Sequence, residues 1–257
     1  MRIPLLLLFF TALATLQARQ ETGFLDRTLK LKGATQRYQV YVPFGWTKSQ
    51  RLPVILFLHG AGERGDNGLA QTQVGLGGSL RFRPERWPAI VVMPQCPKES
   101  WWSAPQAMEL ALAALDAALK EFKGDRERVY LTGLSMGGYG TFAIGSKHAA
   151  RFAALVPICG GVRLPRRAGR PEQPDTGVDL YSETAKGIGA TPIWIFHGAA
   201  DPTVPVTESR KMTEAIKAAG GNPKYTEYPG VGHNSWDKAY AEEELPKWLF
   251  AQRRSGR

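Results

Sequence analysis

Cysteine and histidine, the usual ligands of a bound zinc ion, are scarce in this 257-residue chain, at two and four. The histidines are scattered, and no zinc-ligand spacing, phosphate-binding loop or nucleic-acid motif occurs, so neither a metal nor another cofactor is expected and nucleic acid is not expected as a partner. Acidic residues are also scarce: 23 Asp and Glu face 33 Lys and Arg, for a net charge of +10. Much of the excess sits at Arg163, Arg166, Arg167 and Arg170 and in the tail at Arg253, Arg254 and Arg257. The first cluster reads as a solvated loop that confers solubility, with a basic lid attracting an anionic polymer as the alternative. Long apolar runs are missing after the first twenty residues, and no internal repeat is found.

The one apolar run of note is at the start. Arg2 precedes Ile3 to Phe10, and small residues follow at Ala12, Ala14 and Ala18. A positive charge, a short apolar stretch and small residues are the pattern of a secretory signal peptide. Residues 1–18 are therefore expected to be removed, by cleavage after Ala14 or after Ala18. The mature protein would be secreted or periplasmic, without stable membrane insertion, because the run is short for a span. The remaining 19–257 fit a single catalytic domain with one large core.

Along that domain, apolar segments alternate with helical ones. Extended segments are expected at Thr28 to Leu31 and Gln36 to Val42, joined by a turn over 32–35, then at Val54 to Leu58, Ala89 to Met93, Val129 to Thr132, Ala154 to Pro157, Ile193 to Phe196 and Tyr225 to Tyr228. Helices are expected at Ala107 to Phe122, Thr207 to Ala219 and Trp236 to Gln252. Alternation of this kind predicts an α/β fold, a mostly parallel eight-stranded sheet with helices on both faces.

The chemistry is carried by Gly133-Leu134-Ser135-Met136-Gly137, which follows the strand from Val129 and precedes a helix start. A strand-to-helix turn this tight strains its central residue and exposes the serine hydroxyl as a nucleophile. Ser135 then needs a base, and the base needs an acid to orient it. Asp201 lies just past the strand ending at Phe196, and His233 lies in a glycine-rich loop past the strand ending at Tyr228. Both fall where parallel sheets place their sites, in the chain order serine, acid, histidine. Asp175 and Asp179 are nearer to Ser135 in sequence but have no strand leading into them. His148 reads as a surface residue on the helix after the serine. His59 and His197 each end a strand as a His-Gly pair and read as imidazoles tying down turns.

An oxyanion needs backbone N–H donors fixed in advance. The Met136 amide follows the nucleophile; the Ala61 amide lies in the loop after Val54 to Leu58, flanked by Gly60 and Gly62.

Taken together, Leu58-His59-Gly60-Ala61-Gly62-Glu63-Arg64-Gly65, the serine motif, His197-Gly198-Ala199-Ala200-Asp201 and Gly232-His233-Asn234-Ser235-Trp236 resemble α/β-hydrolases. Met93-Pro94-Gln95-Cys96-Pro97 with Trp101-Trp102 is similar to a branch of secreted esterases akin to polyhydroxybutyrate depolymerases and feruloyl esterases, often described as phospholipase/carboxylesterase-like proteins or predicted peptidases. In the strand order that this resemblance implies, two strands separate the one before Cys96 from the one before Cys159. Three strand spacings are roughly 14 Å, too far for a disulfide. Trp101 and Trp102, after the fourth strand, and Trp236, just after the base, are candidate substrate platforms, since indole faces suit sugar rings and aromatic acyl groups. Core packing is the alternative for each.

The expected activity is hydrolysis of a small-molecule or polymeric carboxylic ester through an acyl-enzyme, the ester being linked to a carbohydrate or an aromatic acid. A peptidase of the same fold is one rival, although prolyl-oligopeptidase-type enzymes normally add a propeller domain for which these residues leave no room. A catalytically silent binding module is the other.

Overall fold

The computed structural model describes residues 21–163 and 178–254. The expected signal peptide, Arg166, Arg167, Arg170, Asp175 and Arg257 lie outside the described residues.

Eight strands form one sheet: β1 (Gly23–Leu31), β2 (Ala34–Val42), β3 (Val54–Leu58), β4 (Ile90–Pro94), β5 (Val129–Leu134), β6 (Ala154–Ile158), β7 (Trp194–Gly198) and β8 (Lys224–Tyr228). Their order is β1-β2-β4-β3-β5-β6-β7-β8. β1 and β2 form an antiparallel hairpin and β2 meets β4 antiparallel; every other pairing is parallel. The hairpin turn is tighter than the sequence suggests. Leu31 pairs with Ala34 across Lys32 and Gly33 alone, both at positive φ, the geometry that matches the twist of paired strands. Every residue of β3 to β7 is buried, because helices cover both faces.

The helices are α1 (Leu76–Phe82), α2 (Pro105–Glu121), α3 (Met136–Lys147), α4 (Leu180–Ile188), α5 (Thr207–Ala218), α6 (Trp236–Ala241) and α7 (Glu244–Ala251). Alternation along β3 divides the core. Val54, Leu56 and Leu58 join the cluster under α2, α3, α4 and α5, while Ile55 and Phe57 join the one under α1, α6 and α7. The helix expected over 236–252 is broken at Glu242 and Glu243. Pro246 explains the break: in a continuous helix its ring would strike the Glu242 carbonyl, whereas in the first turn of α7 it is tolerated. Cys96 and Cys159 are both buried and free, at the ends of β4 and β6 with β3 and β5 between them.

Where β5 turns into α3, the backbone passes so close to β3 that a Cβ at Gly137 would collide with the Leu58 carbonyl. We expect Gly137→Ala to lose at least about 3 kcal/mol or not to fold. Gly78→Ala in α1, where a Cβ meets open space, should be neutral or stabilising by up to about 1 kcal/mol. Urea denaturation of the two variants checks this; a Gly137→Ala protein as stable as the parent would contradict the close approach.

Candidate active site

Ser135 sits between β5 and α3 at φ 52° and ψ −117°, a left-handed conformation that a side chain adopts only under strain. Its amide donates to the Ile158 carbonyl at 2.9 Å, which fastens the turn to the end of β6. The hydroxyl lies 2.9 Å from His233 Nε2, and His233 Nδ1 lies 2.7 Å from Asp201 Oδ2. Because a carboxylate only accepts, Nδ1 carries the proton and Nε2 presents its lone pair to the serine. The three residues that the sequence nominates are thus joined in one relay.

Backbone contacts set this geometry. The Ala199 amide donates to the Tyr228 carbonyl at 3.0 Å and the Ala200 amide to Val231 at 2.9 Å, so the acid loop and the base loop are joined strand to strand. Gly198 allows it, since a Cβ there would strike the carbonyls of Val231 and Gly232. Asp201 has no exposed side-chain surface. Its Oδ1 accepts from the amides of Thr203 at 2.8 Å and Val204 at 2.9 Å. Burial alone would raise the carboxyl; hydrogen bonds from His197, His233 and these two amides outweigh it and hold Asp201 well below the usual carboxylate range.

Asp179, the rival acid, instead caps α4 by accepting from the Tyr181 amide at 3.1 Å. His148 ends α3 and is only partly exposed. Beneath the triad lies Cys159, itself at φ 39°. Its sulfur and the nearest ligand atoms of Asp201 and His233 all fall within 4.8 Å of one another. Burial pushes this thiol up to about 12, so it is a neutral neighbour rather than a thiolate ligand.

The loop carrying Ala61 lies against the nucleophile: a Cβ at Gly60 would be 3.8 Å from that of Ser135. It is pinned from several sides. His59 Nδ1–H donates to the Gly60 carbonyl at 2.6 Å, and His59 Nε2 accepts from the Cys96 amide at 2.9 Å. Arg64 donates to the Ala61 carbonyl at 3.0 Å, and Gln95 to the Glu63 carbonyl at 2.9 Å. The Met136 amide is the first of α3 and so has no acceptor within its helix.

The tryptophans separate. Trp102 is fully buried, and its indole N–H donates to the His59 carbonyl at 3.0 Å while its ring meets the imidazole edge-on. The expectation that it contacts substrate is therefore corrected: it is a wedge under the Ala61 loop. Trp101 is partly exposed, edge-on to Tyr139 and beneath the Arg64 guanidinium at 5.9 Å. Trp236 meets the His233 ring edge-on at 5.4 Å and lines a groove of about 740 Å³ with Val74, Phe82, Arg83 and Tyr240. His59 and His197 are the buried imidazoles tying down turns that the sequence suggests, bonded to the Gly60 and Val204 carbonyls, whereas sequence reasoning gave no role to Gln95 or Ser209.

His59 has a consequence for stability. Burial, with the nearby Arg64 charge, lowers its imidazole from 6.5 to about 4, against a partial rise from the Gly60 bond. Between those values the unfolded chain binds a proton that the folded chain refuses. The stability present above pH 6.5 is therefore lost as the pH falls toward 4, by up to about 3 kcal/mol. Denaturation across pH 4 to 7 should give a flatter curve for His59→Gln than for the parent. Equal slopes would contradict the buried neutral imidazole.

The sequence profile of the prolyl oligopeptidase family matches residues 107–255, more than half of the chain and all three members of the relay. An acyl-protein thioesterase 1 from Gibberella zeae is 26% identical over 118 residues, 46% of this chain and 46% of its own length. The chain thus spans about half the length of that curated relative. A thermostable esterase of known structure is 33% identical and superposes with a TM-score of 0.76 over 90% of this chain and 63% of the esterase. The fluorophosphonate-binding serine hydrolase F of Staphylococcus aureus shares the fold at 17% identity and a TM-score of 0.70, covering 90% of this chain and 99% of that one. With its catalytic half matched to that profile, the chain belongs to the prolyl oligopeptidase family, on an α/β-hydrolase fold.

Proposed function

We propose that the protein is a secreted serine hydrolase that cleaves carboxylic esters through an acyl-enzyme. The observation that carries this reading is the unbroken relay Ser135–His233–Asp201 at 2.9 and 2.7 Å. Ser135 Oγ attacks the ester carbonyl while His233 Nε2 takes its proton. Asp201 stabilises the imidazolium, and the amides of Ala61 and Met136 receive the oxyanion. Collapse of the adduct expels the alcohol, which takes the proton from His233. Water, deprotonated by the same nitrogen, then releases the acid and restores Ser135. The names of an esterase and a thioesterase among the relatives favour an ester-type substrate. Trp236, edge-on to the His233 ring, and Trp101, partly exposed on the loop after β4, suit a carbohydrate-linked or aromatic acyl ester. Export rests on the leader-like residues 1–18. Among the described residues no helix is long and apolar enough to cross a membrane.

Family membership supports a second reading, cleavage of peptides, because the same relay serves either leaving group. The mature protein should be assayed against p-nitrophenyl esters of rising chain length, feruloyl and acetylated-sugar esters, and peptide anilides. Ester kcat/KM should exceed anilide kcat/KM by orders of magnitude, and Ser135→Ala should abolish both while the melting temperature holds. Trp101→Ala should cost about tenfold on feruloyl esters and little on acetyl esters. Trp102→Ala should lower the melting temperature and every rate alike. Preference for anilides would favour the peptidase.

A further inference from the structure

Asp201 has a second histidine. His197 is fully buried in β7, four residues before the acid, and its Nε2 lies 3.3 Å from Asp201 Oδ2, the same oxygen that binds His233. The same Nε2 lies 3.0 Å from the Val204 carbonyl. A carbonyl can only accept, so Nε2 bears a hydrogen. It is donated to Val204 O, and Asp201 Oδ2 lies 3.3 Å from the same nitrogen beside that bond. On the far side, His197 Nδ1 lies 2.7 Å from the hydroxyl of Ser209, which is buried in α5. In the neutral ring Nδ1 therefore accepts from Ser209. The tautomer is opposite to that of His59, whose Nε2 accepts a backbone amide.

We propose that His197 is a positioning residue of the triad: its Nε2–H, fixed by Val204 O and Ser209, presents its positive end to Asp201 Oδ2 at 3.3 Å and keeps that oxygen charged and aimed at His233. This role rests on the reading of Ser135, His233 and Asp201 as the catalytic relay. The physical need is plain. A carboxylate without solvent tends to take up a proton, and a protonated Asp201 would neither fix the His233 tautomer nor stabilise its charge. Two amides occupy Oδ1; on Oδ2 the only donor besides the catalytic histidine, among the described residues, is His197. The approach of His197 is among the interactions that hold the Asp201 carboxyl down against burial.

Other titratable groups near the pair leave this role to His197. Facing Asp201 are the Cys159 thiol and the Tyr139 phenol, both raised by burial and neutral. Facing His197 across the β7–β8 pairing is Glu227, whose charge is taken up by Arg210 at 2.6 and 2.9 Å and by the Tyr225 hydroxyl at 2.6 Å.

The test compares His197→Leu, which removes the donor, with His197→Gln, whose amide can place an N–H near the Nε2 position. Without the donor, Asp201 becomes more basic and the His233–Asp201 pair takes up its first proton at higher pH. The acidic limb of kcat/KM for a p-nitrophenyl ester should then move up by about one pH unit in the Leu variant. It should return toward the parent limb in the Gln variant. A purely structural role would lower the amplitude without moving the limb, and a Leu variant with the parent limb would overturn the proposal. If the Leu variant does not fold, the tautomer decides: long-range proton–nitrogen spectra of the ¹⁵N-histidine-labelled parent protein should show His197 protonated at Nε2 with a bare Nδ1. A bare Nε2 would overturn the proposal whether or not the enzyme has esterase activity. Failure of the ester reading itself would show differently, as absence of turnover in the parent.

Discussion

A single buried negative charge organises this molecule. Asp201 has no exposed side-chain surface, yet the chain surrounds it with four N–H groups, two from its own loop and two from imidazoles. Transfer of an unpaired carboxylate out of water costs many kcal/mol, so the loop that carries it can fold only when those donors are in place. Each donor lies at or just past the end of a strand. His197 is the penultimate residue of β7, the two amides belong to the turn after it, and His233 arrives on the loop after β8. The acid thus binds two neighbouring strand ends together as well as orienting the base.

The serine end of the relay is set by sterics rather than charge. The turn at Ser135 holds a side chain at φ 52° while α3 leaves at once over β3, with no room for a Cβ at Gly137. That crossing brings the nucleophile beside Gly60 and Ala61, and it explains the fastening beneath them. His59, Trp102, Gln95 and Arg64 hold the Ala61 loop through five different hydrogen bonds. On the proposed mechanism none of these side chains needs to touch a substrate to matter for the rate, because an oxyanion donor is useful only if it stays aimed before the charge develops.

The sheet and the relay were legible in the sequence because each left a local mark. β3, β4, β5, β6 and β7 are buried on both faces and read as unbroken apolar runs, and Ser135, Asp201 and His233 each follow a strand end. Two helices left no such mark. α1 contains Gly77 and Gly78, and α4 follows a stretch rich in proline and arginine. Trp102 was misjudged, and the contact of His197 with Asp201 missed, for a different reason. Adjacent tryptophans carry no sign of which one turns inward, and that choice depends on the His59 carbonyl arriving from another strand. Likewise His197 lies four residues before Asp201, but only the packing of α5 and the Val204 carbonyl sets its tautomer. Local pattern encodes elements; the direction of a hydrogen bond is a property of the packed whole.

The central claim is covalent: an acyl group passes through Ser135. It is tested most directly by acid-quenching the protein during turnover of a slowly deacylated p-nitrophenyl ester, then measuring the intact mass and mapping the modified peptide. The account predicts one acyl group per chain, attached at Ser135 and lost on further incubation. Turnover without a covalent adduct, or an acyl group on any other residue, would contradict it.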